Sequence, residues 1–187
     1  VKKRKSEIVE KIGLYFVALI PPDDIAEEVK AFKELAVRRF HSRKALTSPA
    51  HITLQPPFKW PENRIGEITA LLEQLTPTVT PFEQELRDFN CFKPRVVFVG
   101  VVLNDALKNL AARLQLTLKP LLGEENIDAR PYHPHMTVAF KDLKPCWFYQ
   151  AWAYFSAQSY QRTFTADALC LLKHNGKEWE VILNFKF

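Results

Sequence analysis

Two short strings in this chain share one pattern: His51-Ile52-Thr53-Leu54 and His135-Met136-Thr137-Val138. On an extended strand successive side chains alternate faces, so each histidine shares a face with its threonine while the apolar pair points the other way. Each string therefore offers one imidazole and one hydroxyl side by side. Cleaving a P–O bond needs one group to take a proton from the attacking oxygen and another to give one to the leaving oxygen. Histidine, with an ordinary pKa of about 6.5, serves in either role near neutrality. Each such transfer is typically worth about 10²–10⁴ in rate. Threonine hydroxyls can donate to the non-bridging oxygens, and the scheme requires no metal. A lone strand histidine is more often a structural residue. Two of five histidines in one four-residue pattern call for a better explanation.

The elements around the strings also repeat. Residues 12–20 read as a strand, broken by Pro21-Pro22-Asp23-Asp24, which opens a helix through Ile25, Val29, Phe32, Leu35 and Ala36. His51 to Leu54 reads as a short strand stopped by Pro56-Pro57; a helix follows from Pro61-Glu62, then extended chain over 81–92. Val96 to Leu103 repeats the first strand, Asn104 caps a helix to about Leu118, and Met136 to Phe140 is again strand-like. A helix over roughly 146–157 and one strand over 162–173 come next. Asn175-Gly176 then marks a hairpin turn before the strand Trp179 to Phe187. His51 and His135 stand 84 positions apart (135 − 51), and the same offset superposes the first strand and helix on the third strand and its helix. The pattern predicts a duplicated βαβαβ unit, with repeats over about 12–93 and 95–187 in a single domain spanning 1–187. Two lobes related by a pseudo-two-fold axis would bring the histidine–threonine pairs face to face.

At 187 residues, 47% hydrophobic and 25% charged, the composition is that of an ordinary globular protein, and the net charge of +5 suits a polyanionic partner. Three cysteines with no CxxC pair argue against a disulfide framework or zinc site and favour a cytoplasmic setting. The basic extension at 1–11, with Lys2-Lys3-Arg4-Lys5, precedes an apolar run as in a signal peptide, but Glu7, Glu10 and Lys11 intervene. No stretch approaches the length of a membrane span. A monomer is expected, because the repeat supplies its own pseudo-dimer.

The two strings, in this order, resemble the paired His-x-Thr/Ser motifs of the 2H phosphoesterase superfamily, and most of all its branch of 2′-5′ RNA ligases and RNA 2′,3′-cyclic phosphodiesterases. Pro134 to Ala139, the opening strand Leu14 to Pro21 and the strand led by Pro94-Arg95-Val96-Val97-Phe98 also fit, from about residue 12 to the end. The resemblance implies an α+β fold, two lobes with antiparallel sheets around a central cleft. It implies hydrolysis of 2′,3′-cyclic or 2′-5′-linked phosphodiesters of nucleotides or RNA ends, possible reversal as ligation, and no cofactor. It makes His51 and His135 catalytic and Thr53 and Thr137 phosphate-binding. By that analogy His51 protonates the leaving 3′-oxygen while His135 activates water. Phe140 departs from the pattern, standing where many members carry an arginine or tyrosine; it cannot donate a hydrogen bond to phosphate. Lys141 would point to the opposite face of a regular strand. A catalytically weak RNA-binding module using the same cleft is the alternative.

Among the other polar residues, Tyr132 is placed to stack on a base or to anchor a loop, and Arg130 and Arg95 to meet a phosphate or sit in solvent. His133 and His135 could share a metal, although no further ligand stands at a usual spacing. His41 and His174 receive no role.

Overall fold

The computed structural model describes residues 10–127 and 130–187. The basic stretch Lys2 to Lys5 lies outside the described residues.

Strand β1 (Ile12–Leu19) leads into helix α1 (Asp23–Phe40), then β2 (Ile52–Pro61), α2 (Ile65–Leu75) and β3 (Phe82–Phe92). Strand β4 (Val96–Val101), helix α3 (Asp105–Leu122), β5 (His135–Ala139) and α4 (Pro145–Ser156) repeat that order, and β6 (Gln161–Ala166), β7 (Ala168–His174) and β8 (Trp179–Lys186) complete the chain. Local chemistry explains the helices. In α1, Asp23 and Asp24 sit in the first turn and Arg38 and Arg39 in the last, matching the helix dipole. Its buried stripe runs Ile25, Val29, Lys33, Ala36, Phe40, and a lysine in that series is an anomaly. Asn104 caps α3, its side-chain oxygen accepting from the Leu107 amide at 2.8 Å.

The strands form two four-stranded antiparallel sheets, ordered β2-β1-β7-β8 and β5-β4-β3-β6. These sheets do not follow the two halves of the chain. Strand β3, from the first half, pairs with β4, whereas β7, from the second, pairs with β1. The helices interleave as well: α1 packs against β5 and α4, and α3 against β2 and α2. One apolar core therefore runs through both sheets, from Val17 and Leu19 to Val97 and Val99. The motif strands occupy equivalent edge positions, β2 in one sheet and β5 in the other.

Two strand expectations need correction. Pro56-Pro57 does not stop β2, which continues to Pro61. Tyr15 pairs with Phe58 and Val17 with Gln55, so both prolines sit in a bulge on an edge strand, where proline costs no ladder hydrogen bond. The single strand expected over 162–173 is two strands, parted at Asp167, where the chain leaves one sheet for the other. Phe164 and Ala166 are spent on one sheet's core and Leu169 and Leu171 on the other's. Hydropathy alone reads these alternations as continuous.

Candidate active site

Alternation on the two edge strands separates the faces as the sequence demands. Ile52 and Leu54, and Met136 and Val138, are fully buried, while His51, Thr53, His135 and Thr137 are half-buried on the opposite faces. Burying each of those apolar side chains contributes roughly 2 kcal/mol and pins the register, because a one-residue slip would place the histidines in the core.

Both imidazoles are held in the same way. Nδ1 of His51 lies 2.8 Å from the Pro49 carbonyl oxygen, and Nδ1 of His135 lies 2.8 Å from that of His133. A carbonyl only accepts, so each Nδ1 must carry the proton, and each Nε2 is left with its lone pair. Each ring also rests against a buried phenylalanine of the neighbouring strand, His51 on Phe16 at 4.8 Å and His135 on Phe98 at 5.1 Å. Burial pushes the His51 pKa down to about 4 against the opposing bond to Pro49, with Lys33 and then His135 lowering it further. Burial likewise lowers that of His135, opposed by its bond to the His133 carbonyl and aided by the His133 ring. Both shifts favour the neutral ring in the free protein. Strands β2 and β5 approach each other, and the action of His135 on His51 follows from that approach.

A cleft of about 490 Å³ opens between the sheets, lined by Thr53 from β2, by His135, and by Phe92, Arg130, Tyr132 and His133. It thus brings together Thr53 of the first motif, His135 of the second and both substrate-binding candidates. His51 and Thr137 lie outside that lining. The Tyr132 hydroxyl donates to the Thr53 carbonyl at 3.0 Å, and burial pushes its pKa up, so Tyr132 ties the segment before β5 to β2. Its anchoring role is thereby visible in the contacts. Arg95 is exposed in the turn between β3 and β4, away from the cleft lining. His133 is exposed and packs on Phe92 at 5.0 Å, its carbonyl serving His135. Among the described residues no group of three or more His, Cys, Asp or Glu is placed to hold a metal. Phe140 follows the end of β5, and Lys141, at φ 56°, turns its ammonium to 5.3 Å over the Phe140 ring. The strand ends too early for Lys141 to take the opposite face.

The sequence reading missed Phe16, Phe92, Phe98 and Lys33. The phenylalanines look like ordinary strand residues, and only the sheet pairing reveals them as supports. Lys33 had a signal, its place in the four-residue series Ile25, Val29, Lys33.

Residues 21–178 match the family model described as the 2′-5′ RNA ligase superfamily. The chain belongs to that superfamily. Among relatives of this 2H phosphoesterase chain, a Geobacillus thermodenitrificans protein whose name proposes a phosphoesterase is 28% identical over 131 residues, covering 69% of each chain. Two solved structures share the two-lobed fold. The protein TT0787 of Thermus thermophilus superposes with a TM-score of 0.64 at 21% identity, covering 92% of this chain and 97% of its own. Escherichia coli LigT, solved with 3′-AMP, gives 0.67 at 14% identity, covering 95% and 99%. No helix among the described residues is long and apolar enough to cross a membrane.

Proposed function

We propose that this superfamily member is a phosphodiesterase that hydrolyses 2′,3′-cyclic or 2′-5′-linked phosphodiesters of nucleotides or RNA ends. The observation that carries the reading is the duplicated histidine: two edge strands each present an imidazole anchored through Nδ1 to the carbonyl two residues earlier. Both Nε2 atoms are then available for proton transfer. In the forward reaction the neutral imidazole takes a proton from water as its oxygen attacks phosphorus. The partner imidazolium gives its proton to the departing ribose oxygen, so the pair ends one proton exchanged and is reset through solvent. Because burial favours the neutral form of both rings in the free protein, the phosphate anion itself draws the required proton onto one of them. Thr53, in the cleft with His135, and Thr137 donate to the non-bridging oxygens, and Arg130 supplies a cation at the cleft wall. Tyr132 shapes the same wall. A nucleotide as the ligand class agrees with the 3′-AMP bound to LigT.

The test is ³¹P NMR of a 2′,3′-cyclic nucleotide and of a cyclic-phosphate-ended oligonucleotide, each incubated with the protein in EDTA. Growth of a 2′-phosphate resonance is expected, with turnover reduced roughly 10² or more in His51→Ala and in His135→Ala. Full turnover in the double variant sinks the reading. Phe140, in place of a phosphate-holding side chain, favours a second reading: an RNA-binding module with little turnover. That reading requires RNA affinity that falls steeply with salt and forms no product.

A further inference from the structure

Lys33 is a lysine only 3% exposed, set among Val29, Ala36 and Phe40 on the buried stripe of α1. An ammonium is costly to bury unless its protons are satisfied. Two of them are: Nζ donates to the Ser48 carbonyl at 2.9 Å and to the Pro49 carbonyl at 3.1 Å. The Pro49 oxygen is the same atom that accepts from Nδ1 of His51 at 2.8 Å. One carbonyl thus joins a helix-borne cation to an active-site imidazole. The second motif is built differently. His135 bonds to the His133 carbonyl, which lies in an exposed segment, and the neighbour acting on the His135 ring is another imidazole. The two half-sites share their anchoring geometry and differ in the neighbour that acts on the ring, an ammonium behind His51 and the His133 imidazole beside His135.

We propose that Lys33 is a positioning residue for His51: by fixing the Pro49 carbonyl and placing a positive charge behind the ring, it sets the aim and tautomer of His51 and opposes its protonation in the free protein. The inference rests on the two-histidine reading above. The charged and titratable groups acting on His51 are Lys33 from α1 and His135 from β5. Both oppose an imidazolium there. The ammonium polarises the carbonyl away from the imidazole and repels a second positive charge through a water-poor region, where such repulsion is only weakly screened. Fixing a ring through the nitrogen opposite its reactive one is a general way to set both tautomer and aim. The Lys33 pKa is itself pushed down by burial to about 8, so the cation persists at neutral pH.

The experiment combines NMR titration of the His51 and His135 ring signals with pH–rate profiles, in the wild type, Lys33→Met and Lys33→Arg. In Lys33→Met the His51 titration should move up by roughly half a pH unit or more, while that of His135 stays in place. The limb of the kcat profile that His51 governs should follow it, and kcat should fall about tenfold with KM little changed. Lys33→Arg, which keeps the charge, should restore the titration. An unmoved His51 titration in Lys33→Met overturns the proposal. Turnover that survives His51→Ala overturns instead the functional reading beneath it, and the NMR arms distinguish the two failures because they need no turnover.

Discussion

The depressed histidines make stability itself depend on pH at the residue scale. The His51 pKa in the folded protein is about 4, below its ordinary value, because burial and Lys33 disfavour the charged ring. Between those two values the unfolded chain binds more protons than the folded one. Stability contributed by the neutral ring is therefore complete above about pH 6.5 and is lost progressively as pH falls through 4. His135 adds a contribution of the same sign. Urea unfolding at pH 7 and at pH 4.5 should show the protein weaker at the lower pH, and His51→Leu should flatten the difference. A His51→Leu protein with the wild-type slope would mean the ring titrates in the folded state as it does in water.

At the scale of elements, the caps and edges decide where the motif residues stand. Helix α3 starts at Asp105 because the Asn104 side chain takes the Leu107 amide proton, and the same side chain donates to the Glu83 carbonyl at 3.0 Å. Asn104→Ala should cost about 1–2 kcal/mol in chemical denaturation, since it removes a cap and a link between α3 and β3. The loss should leave turnover of the folded fraction unchanged, because the Asn104 side chain bonds Leu107 and Glu83 and neither motif. Strand β2 carries its two prolines without breaking for an equally local reason. Its outer edge has no neighbour to satisfy, and the bulge opposite Phe16 absorbs the extra residue.

Over the whole molecule, contacts between distant segments hold the two sheets in one arrangement. The Asp142 carboxylate, just after β5, accepts from the Ser42 hydroxyl at 2.9 Å and from the Arg43 and Lys44 amides at 2.8 and 3.0 Å, all just after α1. Glu28 of α1 accepts from the Tyr160 hydroxyl at 2.8 Å and pairs with Arg162 of β6. Such clamps, together with the exchanged strands β3 and β7, tie the two sheets to each other. Asp142→Ala should cost about 1–3 kcal/mol, chiefly by leaving the buried Ser42 hydroxyl without its acceptor, since the exposed Arg43 and Lys44 amides can turn to water. Because the clamp helps tie the two sheets to each other, its loss should also lower kcat of the folded protein several-fold. A variant equally stable in urea and equally active would show that other contacts fix the lobes.

Much of this was legible from residue types and spacing. The duplicated histidine–threonine strings, the faces they share and the helices that follow the opening strands are local properties, fixed by alternation, capping and hydrophobic period. The chain by itself therefore determined which side chains could do the chemistry. The tertiary structure decided the rest, because it depends on contacts between residues far apart. A strand such as 162–173 divides between two sheets only where each core has an apolar face to receive its share. Two phenylalanines support the imidazoles only once strands pair. Lys33 reaches His51 only when α1 lies against the loop before β2, so that one carbonyl oxygen can be shared. The motifs share one His-x-Thr pattern; the field around each differs, since it is set by neighbours that only folding supplies.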